Sequence, residues 1–226
     1  MEYGETPTYN GVAPVPPVAG DYWAGWEPPI SSVKGDVIYV AKYSPHYYTR
    51  DYIMGNLTDI PLSFLESLTS IRERGLDGLK LTALSLPNVT TIGTEGLARL
   101  SKVTELVLPK VVSLGNYALK DCQVLKKVKM PLLSVTGYAV FSSCRVLEEV
   151  DVLSVGDATN SHSTYTHFYS CGALKTLIMR AERVPICAIS SIFSTSSPIA
   201  KGTGYIYVPR SVIDGYKTAT NWSKYA

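Results

Sequence analysis

Four cysteines and three histidines carry most of the chemistry this chain could perform. Cys122, Cys144 and Cys171 invite a metal site or a disulfide, since a thiolate is a soft metal ligand and one half of a bridge. Yet Cys144 follows Cys122 by 22 residues and Leu100 precedes Cys122 by the same step, so thiols and a leucine share one slot. Side chains stacked in such a slot lie about 4.8 Å apart with parallel directions. That is near enough for a bridge by backbone distance, but the sulfurs are aimed wrongly to close one. The expectation is three buried, reduced thiols, with Cys187 outside the register. His46, His162 and His167 have no carboxylates at ligand spacing. His162 and His167, beside Ser161 and Ser163, allow a hydrolase to be imagined, but no nucleophile elbow, oxyanion glycine pair or positioned acid accompanies them. The residues therefore point away from catalysis, a metal or a cofactor.

The cysteine spacing belongs to a longer pattern. Leu81, Val103, Leu125 and Leu147 open segments 22 residues apart, Pro87, Pro109 and Pro131 recur at one offset, and Gly93, Gly115 and Gly137 at another. Self-similarity of this length marks units that cannot bury their apolar face alone and must stack. Each opens with period-2 alternation, Leu84 and Leu86 against Ala83 and Ser85, which predicts a short strand ended by the proline. Val89 and Ile92, like Val111 and Leu114, predict a second apolar stripe, and the glycines predict a turn at positive φ. Each unit closes on a segment such as YALKDC or YAVFSSC, room for one or two helical turns.

The unit carried by Leu125, Val128, Met130, Pro131, Gly137, Ala139, Phe141 and Cys144 resembles the BspA-like leucine-rich repeat. With degenerate units the resemblance runs from about Leu57 to Ala226. It implies an α/β repeat solenoid: a right-handed coil with a parallel β-sheet, second short strands, and short helical or 3-10 turns. It also implies adhesion or protein contact on a bacterial surface or in a phage. Upstream, YGETPTYNG, GWEPPI and GDVIYVAKY resemble the small β-grasp-like repeats of the Listeria/Bacteroides type, here N-terminally truncated. The expected domains are thus a small β-rich module at 1–43 and a solenoid at 44–226. Trp23 and Trp26 read as module core in preference to a sugar-stacking pair.

With 226 residues, net charge +2 and 46% hydrophobic residues, the chain can bury a substantial core. No Lys/Arg stripe marks a nucleic-acid surface, and no apolar run approaches a membrane span or signal peptide. The expected setting is a cell surface, as part of a longer protein, or a phage virion. At the C-terminus Tyr205–Pro209 reads as a last strand. Ser211 and Asp214 then read as a capping-box-like start to a helix whose face of Val212, Ile213, Tyr216 and Ala219 covers the final unit.

Outward strand positions form charge ladders: Glu105, Lys127 and Glu149 at one offset, Lys129 and Asp151 at a second, Lys126 and Glu148 at a third. Such a face neutralises itself or recognises a partner. Leu147 and Leu174 are 27 residues apart instead of 22, which places an insertion between Val152 and about Thr164. Solenoid insertions map to loops, often on the binding face. The candidate ligand-binding residues are therefore His162, Tyr165, His167 and Tyr169 at the insertion, and Lys127, Lys129 and Glu149 on the sheet. The reading is a non-enzymatic module that binds a protein or glycan; a structural part of a phage tail is the alternative. Oligomeric state is not fixed by these features.

Overall fold

The computed structural model describes residues 21–27, 40–45, 65–66, 68–155, 167–187 and 192–226. The chain divides into two compact units, Met1–Tyr52 and Ile53–Ala226. The first contains an antiparallel pair, β1 (Asp21–Glu27) and β2 (Val40–Pro45), with a register irregularity between Trp23 and Gly25. The side chains of Trp23, Trp26 and His46 lie outside the described residues.

The second unit is the stack of repeats. Its larger sheet joins β5 (Glu105–Val107), β7 (Lys127–Met130), β9 (Glu149–Val152), β10 (Thr176–Met179) and β11 (Tyr205–Tyr207). All its pairings are parallel. The register puts Leu106, Val128, Val150 and Leu177 in one column, as the 22-residue period and the 27-residue step require, and adds Ile206 as its last member. The smaller sheet joins β3 (Ser70–Ile71), β4 (Thr91–Ile92), β6 (Ser113–Leu114) and β8 (Val135–Thr136). Ile71, Ile92, Leu114 and Thr136 line its inner face, all buried. Further buried columns, Val89–Val111–Leu133–Val155 and Val103–Leu125–Leu147–Leu174, fill the interior. One residue per rung enters each column, so no rung has a core of its own.

Several expectations need correction. Leu81–Leu86 is not a strand, and Leu84 is only half-buried, so the column begins at Leu106. Thr82, Ala83 and Ser85 lack the long outward side chains that pair β5 with β7, which removes a cross-strand contribution to sheet formation.

The segments that close the rungs are turns, and they are bound to the next rung. Glu95, Leu97 and Arg99 donate their N–H to the carbonyls of Asn116, Ala118 and Lys120; Tyr117, Leu119 and Asp121 donate to Tyr138, Val140 and Ser142. Sending each second amide forward to the next rung requires sharp turns. Left-handed φ recurs at Glu95 (52°), Tyr117 (56°) and Ala139 (51°), and again at Arg99, Asp121, Ser143 and Ser170.

Gly93, Gly115 and Gly137 have no positive φ. Their role is close approach. A Cβ there would lie 2.7 Å from Glu73 N, 2.6 Å from Thr94 N and 2.5 Å from Asn116 N respectively, inside the backbone of the preceding rung.

At the C-terminus a 3-10 turn (Arg210–Val212) leads into α1 (Ile213–Thr218) without a side-chain cap, so the capping box does not form. Ile213 is exposed; the cap instead buries Tyr216 and Trp222. The Tyr216 hydroxyl meets Met179 Sδ at 3.8 Å, Trp222 Nε1 donates to Pro185 O at 2.9 Å, and Tyr225 packs edge-on against Phe193 at 4.9 Å. A six-residue helix has too little surface to cover a rung alone, so the indole beyond its end completes the cover.

Candidate binding surface

Strand alternation turns Leu106, Val128, Val150 and Leu177 inward, so their neighbours form two outward rows across the large sheet. One row is Glu105, Lys127, Glu149, Thr176 and Tyr205; the other is Val107, Lys129, Asp151, Ile178 and Tyr207. Lys127, Lys129 and Glu149 therefore share this face, on adjacent strands.

The ion pairs are partly those expected. Lys127 lies 3.8 Å from Glu105. Asp151, however, is gripped by Arg180 rather than Lys129, through Nε at 2.6 Å and a second guanidinium nitrogen at 2.8 Å. Asp151 is nearly buried. A carboxylate withdrawn from water needs donors on both oxygens, which the guanidinium fork supplies and an ammonium does not. Glu148 takes Lys175 at 2.6 Å. That hydrogen bond is the main cause holding the Glu148 carboxyl below its usual range, with Lys126 and Lys127 adding smaller contributions. Lys175 follows Glu148 by the same 27 residues as Leu174 follows Leu147, so the insertion offset already contained it.

Sequence reasoning also missed Tyr205 and Tyr207, which are 63% and 54% exposed at the C-terminal edge of this face, their ring centroids 6.1 Å apart. The alternation of Tyr205, Ile206 and Tyr207 carried that signal. Nor did it find the ionic cluster on the turn face, where Asp77 and Glu95 share Arg74 and Arg99.

The insertion candidates separate. His162 and Tyr165 lie outside the described residues. Tyr169 is exposed on the turn face, away from the sheet rows. His167 is corrected: it is 3% exposed, in the slot of Ala118 and Val140, with its carbonyl accepting the Phe141 N–H. Its Nδ1 has no hydrogen-bond partner among the described residues, and burial lowers its pKa to about 4. It is a neutral core residue because its register, like that of Phe168, aims it inward. Phe141, Phe168 and Phe193 stack at 5.2 Å and 5.5 Å, carrying the core across the insertion.

The cysteines are free and buried. Their thiols donate to the carbonyl one rung back: Cys122 to Leu97 O at 3.4 Å, Cys144 to Leu119 O at 3.0 Å, Cys171 to Phe141 O at 2.9 Å. Burial pushes the Cys171 thiol up to about 12, and the hydrogen bond with Cys122, with burial, raises Cys144 well above its ordinary value. Such thiols stay protonated and inert. Among the described residues no group of three His, Cys, Asp or Glu could hold a metal ion, and no helix is long and apolar enough to cross a membrane.

The family described as the BspA type leucine rich repeat region matches residues 52–175 in six copies, more than half of the chain. The chain belongs to this family. Among curated proteins, none matches it. BspA-type repeats are in general a non-enzymatic binding scaffold of the protein-contact or adhesion kind, and in this member the scaffold is the two-sheet stack with its ladder of outward side chains.

Proposed function

We propose that this BspA-type chain is an adhesion module, a right-handed solenoid that docks a protein on another surface through the outward face of β5, β7, β9, β10 and β11. The observation that carries the reading is the division of that face. Its N-terminal strands present charges that satisfy one another, Glu105 with Lys127 and Asp151 with Arg180, whereas its C-terminal strands present Thr176, Ile178, Tyr205 and Tyr207. Tyrosine and arginine at a flat surface are the side chains most used as contact anchors, because they bring large area with few rotors. Self-paired charges beside them exclude wrong partners more than they add affinity. In this setting the chain acts outside the cell within a longer protein, and His162, Tyr165 and Tyr169 form a second contact region at the insertion.

The test places a photo-cross-linking side chain at Lys127, Glu149 or Ile178, and at Val135 on the smaller sheet as control, in the intact chain presented to a panel of extracellular proteins. One protein captured from the three sheet positions and not from Val135, and displaced by unlabelled chain but not by a Lys127→Glu, Lys129→Glu variant, is the expected result. Equal capture from both sheets rejects the assignment.

A further inference from the structure

The charge of the molecule is unevenly placed. Residues 174–226 hold seven Lys and Arg against two Asp and Glu, a surplus of five, in a chain whose net charge is +2. Lys175, Arg180 and Lys217 spend their charge on Glu148, Asp151 and Asp214. Lys201 and Arg210 are exposed and have no acidic partner among the described residues. They stand on either side of β11, four residues before Tyr205 and three after Tyr207.

That strand is the open edge of the larger sheet. Tyr205 sends its N–H to Lys175 O at 2.7 Å, toward β10. In a parallel ladder the next residue faces the other way, so Ile206 presents its N–H and C=O outward. The cap packs on Met179, Pro185 and Phe193, and among the described residues no strand other than β10 pairs with this edge. Ile206 is the last member of the internal column and is only half-buried.

An open edge accepts another strand. A second copy of this chain is disfavoured: antiparallel pairing about Ile206 would set Arg210 of one copy one position from Lys201 of the other, at both ends. The same charges favour the opposite sign. We infer that β11 is a docking edge for an acidic polypeptide segment in extended conformation, which adds a strand beside Ile206, lays its side chains against Tyr205 and Tyr207, and places carboxylates at Lys201 and Arg210. This rests on the adhesion reading and names the chemistry of the partner at one end of the same face.

The probe is a fluorescent synthetic peptide with Glu-Asp pairs at both ends of a Thr-Val-Thr-Val centre. Its controls are the same peptide with Lys for each acid, and a heparin-derived oligosaccharide. Each is titrated against the intact chain at low and moderate salt, with amide exchange followed at Ile206. Expected are binding of the acidic peptide and not of the basic one, at least tenfold weakening in both a Lys201→Glu, Arg210→Glu variant and a Tyr205→Ala, Tyr207→Ala variant that melt like the parent, and slower exchange at Ile206. The inference is overturned by unchanged affinity in the charge-reversed variant, by tighter binding of the oligosaccharide with Ile206 exchange unaltered, or by no binding of the acidic peptide. Because the cross-linking at Lys127 and Glu149 does not involve this edge, either result can fail without the other.

Discussion

His167 shows how a surface-looking residue becomes a core one. Its neighbours Tyr165 and Tyr169 and the polar insertion before it suggested an exposed ring, but its position one residue before Phe168 fixes it in the slot of Val140, and register outweighs polarity. Folding holds its pKa at about 4 against an ordinary 6.5. The fold thus disfavours the charged form: the contribution is whole above pH 6.5, declines as the pH falls toward 4, and is gone below that. The loss amounts to about 3 kcal/mol, since each pH unit of displacement is worth about 1.4 kcal/mol. Urea unfolding from pH 7.5 to 3.5 should show it, and His167→Leu should flatten the difference between pH 6.5 and 4. Parallel stability curves for the two proteins would rule out this account. The cysteines, by contrast, were readable from the shared slot with Leu100; only their bonds to the carbonyl one rung back were not, because donor direction depends on rotamers. A thiol reagent should leave the native chain unlabelled and modify all four cysteines after denaturation. Rapid labelling of the folded chain would contradict their burial.

Among the elements, the large sheet was the most legible part, because alternation and a fixed period determine register together. The turn segments were misread as helical, since tyrosine, alanine, leucine and lysine are tolerated in either and the difference lies in where the amides go. The glycines were identified at the right places for the wrong reason. A residue beside a crossing backbone and a residue at positive φ both exclude a Cβ, and spacing alone does not separate them. Substitution does. Gly115→Ala must push Thr94 N away from a contact of 2.6 Å and should cost on the order of 1–3 kcal/mol. Ser143→Gly, at φ 63°, relieves a left-handed strain of about 1–2 kcal/mol. That gain is offset by about 0.5–1 kcal/mol of added chain entropy. It should therefore be neutral to stabilising by up to about 1.5 kcal/mol in thermal unfolding. If Ser143→Gly destabilises as much as Gly115→Ala, the two kinds of turn position have been confused again.

For the molecule as a whole, period and composition made the architecture accessible and left the partner open, because outward positions such as Thr176 and Tyr205 are free of the constraint that fixes Leu177 and Ile206. The same one-dimensional build makes the ends matter. Each rung is held by its two neighbours, so the last needs a substitute for the missing one. The structure supplies it with Tyr216 and Trp222, whose rings meet edge-on at 5.4 Å. Trp222 is almost fully buried and donates to Pro185 O. Trp222→Ala should therefore remove about 3–5 kcal/mol, but not evenly. The opened surface lies at Met179 on β10 and at Pro185 beyond it, while β5 keeps Leu108, Val111 and Val128 around it. Amide exchange in Trp222→Ala should accelerate most at Leu177 and Tyr205, less at Val150, and least at Leu106, and the unfolding transition should broaden as end rungs separate from the rest. A uniform acceleration from Leu106 to Tyr205 would mean instead that the stack unfolds as one cooperative body, with the cap setting the stability of all its rungs alike.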